Sequence, residues 1–140
     1  MTRTTFASAS SAIVERDGRI LLVRRLNPPA ADLYAFPGGR AEPGETPAET
    51  ALRELQEETG LRGENPRLFH RYELAAEAAS GSGGFLLSVF LVDVGEETEA
   101  FAADDAADLG WYRPDEIAGM PVPPSIIDCL ERLARARDER

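Results

Sequence analysis

Between Thr46 and Gly60 the chain carries a full set of helix start and stop signals, and no other segment restricts the fold as much. Thr46 supplies an N-cap and Pro47 sits at the first helical position, where its missing N–H costs nothing. Glu49 completes a capping box. Ala48, Ala51, Leu52, Leu55 and Thr59 then fall within an arc of about 100° at 100° per residue, so one stripe faces a core. Gly60 ends the helix as a left-handed cap.

The second half of this helix breaks a local rule. Glu54 and Glu58 are four apart and share a face, and Glu57 lies about 100° round from Glu58. All three approach the negative end of the helix dipole, with no basic residue in the last turn and only Arg53 close by, paired with Glu57 at i, i+4. Such a placement reads either as a solvated acidic face or as a functional site, where uncompensated departures from local rules concentrate. Clustered carboxylates suit hard divalent ions such as Mg²⁺ or Mn²⁺.

Around this helix the chain alternates in type. Ala12 to Val14 and Ile20 to Val23 read as strands joined at Asp17-Gly18, a strong hairpin signal. Asn27 to Asp32 contains paired prolines and cannot be regular. Leu33 to Phe36 reads as a short strand and Pro37-Gly38-Gly39 as a turn. Arg67 to Ala76 and Phe85 to Val94 read as paired strands, the second nearly continuously apolar and therefore central. Gly95 to Asp108 is acidic, rich in alanine and read as a mobile loop, followed by a strand from Leu109 to Arg113 and one helical turn from Pro114 to Ala118. A last helix is predicted from Ser125 to Arg137, burying Ile126, Ile127, Leu130 and Leu133. The order implies a mixed α/β domain with helices packed on a sheet.

Composition narrows the partners. The 140 residues suit a single domain, and 15 basic against 25 acidic residues leave a net charge of −10. That charge disfavours a polymeric nucleic acid, while a small phosphate ligand needs a local offset. One cysteine, Cys129, excludes an intrachain disulfide and a cysteine-rich zinc site. No apolar run of about 18 residues is present, so no membrane partner is expected. Residues 1–11 do not read as a signal peptide, so the expected location is the cytoplasm.

Gly39, five residues, Glu45, seven residues, then Arg53-Glu54-Leu55-Gln56-Glu57-Glu58-Thr59-Gly60-Leu61 resembles the signature of the Nudix hydrolase family, also called MutT-like, at all nine defined positions over 23 residues. The resemblance implies one domain over residues 1–140, with the box at 39–61 and an α/β/α sandwich around a mixed central sheet. It further implies divalent-metal-dependent hydrolysis of a pyrophosphate linkage in a small nucleotide substrate, by a monomer or homodimer. Glu57 and Glu58 match the main metal-binding glutamates, and Glu54 matches a residue that binds metal or activates water. Arg53 matches the arginine that orients these carboxylates. Glu45 matches a glutamate that holds the loop against the helix, Gly38 offers a backbone carbonyl to the metal, and Gly39 and Gly44 permit the tight loop.

The substrate is signalled more softly. Ala103 to Tyr112 is similar to a stretch in Nudix proteins of the ADP-ribose pyrophosphatase type, which points to ADP-ribose or a related nucleotide sugar. In that reading an acid of the preceding loop, Asp104, Asp105 or Glu99, reaches the metal or the water; the alternative is a solvated acidic loop. Arg24 and Arg25 alternate to opposite faces, so one can meet a phosphate while the other meets solvent. Trp111 reads as core or as a stacking surface for a nucleobase, and Tyr34 and Phe36 share a core face. His70 has no acidic or nucleophilic partner in sight, and Cys129 reads as a small buried residue. Ser8, Ser10 and Ser11 lack the context of a serine nucleophile. Two other functions fit the same box: hydrolysis of normal or oxidised nucleoside triphosphates, and non-catalytic sensing of a nucleotide or ADP-ribose.

Overall fold

The computed structural model describes residues 7–26, 31–74, 84–95, 99–103 and 106–138. Among the described residues, eight strands and three helices follow in the order β1 (Ala7–Ile13), β2 (Glu15–Arg16), β3 (Arg19–Arg25), β4 (Tyr34–Ala35), β5 (Gly38–Arg40), α1 (Pro47–Thr59), β6 (Glu64–Leu74), β7 (Phe85–Asp93), β8 (Ala106–Tyr112), α2 (Pro114–Ile117) and α3 (Pro124–Asp138).

Local chemistry fixes the first hairpin. Asp17 and Gly18 both take positive φ, 53° and 76°, the backbone of a two-residue turn whose twist matches the strands it joins. The strands form two sheets. One is mixed, in the order β5-β1-β7-β6, with β1 and β7 parallel and the outer pairs antiparallel. In the other, β3 pairs antiparallel with β2, β4 and β8. β7 is an interior strand, as its apolar run predicts.

Alternation along the strands divides the core into two layers. Ala12, Val14, Leu21, Phe90 and Val92 face α1, where Ala51 and Leu55 are buried against them. Ile13, Ile20, Leu22 and Val89 face the other way, onto Ile126, Cys129, Leu130 and Leu133 of α3. Helices on both faces of the strands give the α/β/α layering.

Several boundaries differ from expectation. Gly38 and Gly39 form part of strand β5, not a turn, because glycine alone fits where β5 crosses β1: a Cβ at Gly38 would meet the Ser11 Cα at 2.8 Å. β1 begins at Ala7, five residues before its predicted start, through small residues that β5 and β7 cover on either edge. β8 begins at Ala106, inside the segment predicted to be a mobile loop, because it pairs with β3 as far as Arg25. Ahead of it, the Phe101 N–H donates to the Thr59 carbonyl and the Ala103 N–H to the Glu58 carbonyl, which ties this segment to the end of α1. Ile127 is half-buried, and Cys129 takes the inner position on α3.

Candidate active site

The start of α1 forms as its sequence requires. The Thr46 hydroxyl accepts from the Glu49 N–H at 3.2 Å and the Glu49 carboxylate accepts from the Thr46 N–H at 2.9 Å. At the other end Gly60 adopts φ 77° and its N–H donates to the Gln56 carbonyl. The helix is therefore fixed at both ends before its acidic turn is considered.

Arg53 organises that turn. Its Nε donates to Glu45 Oε2 at 2.7 Å and its Nη2 to Glu45 Oε1 at 3.0 Å, a two-pronged pair. Nη2 also donates to the Arg40 carbonyl at 2.9 Å, which ties the helix to β5. Nη1 donates to Glu54 Oε1 at 2.9 Å and to Glu57 Oε2 at 3.1 Å, so the expected i, i+4 pair forms. One guanidinium thus hydrogen-bonds three carboxylates and a strand carbonyl, with the Glu42 carboxylate a further 3.7 Å ion pair. Glu45 further accepts from the Thr50 hydroxyl and the Glu42 N–H. These donors, Arg53 first, hold the Glu45 carboxyl down at about 2 and the same contacts push the Arg53 guanidinium up.

Glu58 is the most buried acid here, 2% exposed, and its Oε2 accepts from the Gly38 N–H at 2.9 Å. Its burial falls outside the stripe read from the apolar spacing, because it is directed at backbone of β5 and not at apolar side chains. Glu54 lies against Gly39, where a Cβ would sit 2.6 Å from the carboxylate. The side chains of Glu54 and Glu57 are 16% and 42% exposed, so Glu57 is the open member of the set.

The donor set is oxygen only: Glu58 and Glu54 lie against the backbone of Gly38 and Gly39, and Glu57 rests on the guanidinium of Arg53. Those residues fit a hard divalent cation. Among the described residues no three His, Cys, Asp or Glu side chains are gathered tightly enough to hold an ion in this arrangement. Glu57 leans on Arg53 and Glu58 on Gly38.

A cavity of about 500 Å³ opens beside the carboxylates, with Gly38, Gly39, Arg40 and Glu54 at one end and Phe36, Leu87, Val89 and Ile126 among its walls. Arg25 lines it, whereas Arg24 is bound to Asp32 at 3.1 Å. Of the two arginines, one therefore lines this cavity and the other is held by an acid of its own hairpin. Arg40 was not singled out by the sequence. It follows the two glycines on β5 and lays its guanidinium 4.7 Å over the Phe85 ring at this cavity. A larger cleft of about 720 Å³ lies at the far ends of β1 and β7, and there Arg67 meets Asp93 and Arg137 meets Glu15.

Asp104 and Asp105 lie outside the described residues; Glu99 is exposed. Trp111 is half-buried against the α1-side core with the Arg16 guanidinium 4.7 Å over its ring, and so is already stacked. Phe36 is core, and Tyr34 packs on the same layer edge-on to Tyr112. His70 stacks edge-on to Tyr72 on β6. Burial pushes the Cys129 thiol up to about 11, the property of an inert core residue. No described helix is long and apolar enough to cross a membrane.

The NUDIX domain family model matches residues 5–133. Over 107 residues the chain is 37% identical to an ADP-ribose pyrophosphatase of Methanocaldococcus jannaschii, covering 76% of this chain and 61% of that protein's length. It is 30% identical over 131 residues to a CTP pyrophosphohydrolase of Escherichia coli strain K12, covering 93% of both. Its fold superposes on the crystal structure of a MutT NUDIX hydrolase from Burkholderia pseudomallei with a TM-score of 0.80 at 27% identity, covering 91% of this chain and 98% of the other.

Proposed function

The chain belongs to the NUDIX family, and from that premise we propose that it hydrolyses the pyrophosphate linkage of a nucleoside diphosphate joined to another group, ADP-ribose or a related nucleotide sugar first. One observation carries this reading: a single arginine holds Glu45, Glu54 and Glu57 in place against β5 beside a cavity of nucleotide dimensions.

A pyrophosphate is a dense anion and the chain carries a net charge of −10, so charge neutralisation at the site is obligatory. Glu54, Glu57, Glu58 and the Gly38 carbonyl are the groups that would hold Mg²⁺ or Mn²⁺. The chemistry such an ion supplies when bound is polarisation of phosphoryl oxygens and a lowered pKa for water. The protein's own part is orientation. Arg53 fixes Glu54 and Glu57, and Glu45 fixes Arg53. Glu54 is the proton acceptor for the attacking water, being sheltered and held on one oxygen by Arg53. Arg25 and Arg40 meet the phosphates at the cavity's charged end.

A second reading, cleavage of nucleoside triphosphates, is favoured by the CTP-hydrolysing relative, which matches this chain almost end to end. A panel of ADP-ribose, nucleotide sugars, dinucleoside polyphosphates and nucleoside triphosphates, ranked by kcat/KM with Mg²⁺ or Mn²⁺, separates the two. AMP and ribose phosphate from ADP-ribose as the preferred reaction meets the first reading. Preferred release of pyrophosphate from a triphosphate moves the assignment to the second. No turnover of any of them overturns both.

A further inference from the structure

The cavity contains a group that the hydrolytic chemistry does not use. Ser11, on β1, is 6% exposed, and its hydroxyl has no hydrogen-bond partner. A buried polar atom left unpaired is costly, and in native proteins such atoms usually have a partner. Strand register shows where this one points. In the parallel pair of β1 and β7, Ser11 lies beside Val89 and Ala9 beside Leu87, and neighbours across a ladder share a face. Ile13, two residues on, packs with Val89 in the α3-side core. Ser11 therefore projects to the side of Phe36, Leu87 and Val89, all of which line the cavity with it. Ser10, also without a partner, has the parity of Ala12 and Val14 and turns toward α1.

The cavity is divided chemically. Arg25, Arg40 and Glu54 give it charge, Ser10 and Ser125 also line it, and Ser11 sets an unpaired hydroxyl among the apolar side chains of Phe36, Leu87 and Val89. A phosphate group is excluded from the apolar walls by desolvation. A flat ring with apolar faces and a hydrogen-bonding edge satisfies both walls and hydroxyl.

We infer that Ser11 is a specificity-determining residue: the cavity takes the nucleobase of the substrate, and the Ser11 hydroxyl pairs with its edge while the diphosphate lies toward Glu54. This rests on the nucleotide reading of the site above. A site built to pair with a polar edge discriminates strongly against bases that lack the matching group.

The test compares wild type, Ser11→Ala and Ser11→Thr. Steady-state kinetics are measured on ADP-ribose, CTP and dGTP with Mg²⁺, and the affinities of AMP, CMP and dGMP by calorimetry without relying on turnover. In Ser11→Ala the KM for the wild type's preferred base rises roughly five- to tenfold, the loss of one hydrogen bond, with kcat changed less than about threefold. The other two bases change less, so the ranking flattens, and Ser11→Thr restores it. The melting temperature of Ser11→Ala does not fall, because an unpaired buried hydroxyl has been removed. Preferences unmoved by Ser11→Ala, or moved equally for all three bases, overturn the inference and leave hydrolysis standing. Absence of turnover with Ser11-dependent monophosphate preference overturns hydrolysis and leaves the inference standing. No turnover and no monophosphate binding overturn both.

Discussion

The two long helices bury comparable stripes and end in opposite ways. α3 places Arg135 and Arg137 in its last turn, where positive charge meets the negative end of the helix dipole. Its exposed face carries an ordinary i, i+4 pair, Asp128 with Arg132 at 2.7 Å. α1 has no basic residue in its last turn and carries Glu57 and Glu58 there, with Glu54 one turn earlier. Its final carbonyls are satisfied by backbone instead: the Gly60 N–H takes Gln56, the Phe101 N–H takes Thr59 and the Ala103 N–H takes Glu58. A helix that follows the local rules is a packing element here. The one that breaks them is held by long-range contacts, Arg53 to the loop and to β5 and residues 101–103 to its end, and it carries the candidate chemistry.

The comparison breaks most visibly at Glu57. Glu57→Gln keeps the size of the side chain and removes its charge. The expected result is a fall in kcat of roughly 10²- to 10³-fold, in the range for loss of a group that stabilises charge in the transition state. The fold should be intact, and the melting temperature equal to or slightly above wild type, because a like charge has left the negative end of the dipole. Kinetics and a thermal melt on the same preparation check both. A variant of near-normal turnover removes Glu57 from the machinery.

The second largest effect is expected at Arg53. Lysine keeps the charge but cannot reproduce two bonds to Glu45 while also reaching Glu54, Glu57 and the Arg40 carbonyl. Arg53→Lys should lower kcat/KM by roughly 10²-fold, mainly through kcat, since misplaced groups cost rate more than binding. It should also lower the melting temperature by roughly 4–8 °C, the equivalent of about two net hydrogen bonds in a chain of this size. Arg132→Lys on α3, which loses one surface pair, is the matched control and should leave both quantities nearly unchanged.

How much of this was readable in advance follows the same division. Local signals translate directly: the Thr46–Glu49 capping box, the left-handed Gly60 and the Asp17-Gly18 hairpin all form. Non-local closeness does not translate. Gly38 and Gly39 carry no strand signal, and only the presence of β1 alongside makes them β5. Glu58 reads as the counterpart of Glu57, both matching metal-binding glutamates, yet it is buried on the Gly38 N–H while Glu57 stays open, a difference set by a strand 20 residues away in sequence. Ser11 and Arg40 have no motif at all. They matter through what surrounds them, a cavity closed by β1, β7 and α3. Of Arg24 and Arg25, strand alternation established that they part company, but the choice between them needed Asp32 in place.

Acid sharpens the contrast by a smaller amount. The Glu45 carboxyl is depressed from 4.5 to about 2 by Arg53, Thr50 and Glu42. A depressed acid stabilises the fold fully above its unfolded pKa and loses that contribution as pH falls through the folded value. The melting temperature should therefore be flat in this respect above about pH 5 and drop between about pH 4.5 and pH 2. In Glu45→Gln that drop becomes shallower. It does not vanish, because Asp128 on α3, also held low by Tyr72 and Arg132, still titrates in acid. Melts from pH 6 to pH 2.5 on both proteins separate the two contributions. Identical acid slopes count against the Arg53–Glu45 pair as a stabilising link.

The smallest expected effect mirrors the first. Neutralising the end of α3 with Arg137→Ala removes a favourable charge from the dipole's negative end and a surface pair with Glu15. The expected cost is about 0.3–1 kcal/mol, read from urea denaturation at low ionic strength and shrinking as salt is added. Glu57→Gln should shift the same midpoint in the opposite direction by a similar amount. Opposite signs at the two helix ends show that α1 retains its acids against local stability and that α3 does not. If both substitutions destabilise, the open carboxylate of Glu57 contributes more through its bond to Arg53 than it loses to the dipole, and the acidic turn of α1 is stabilised by its own network.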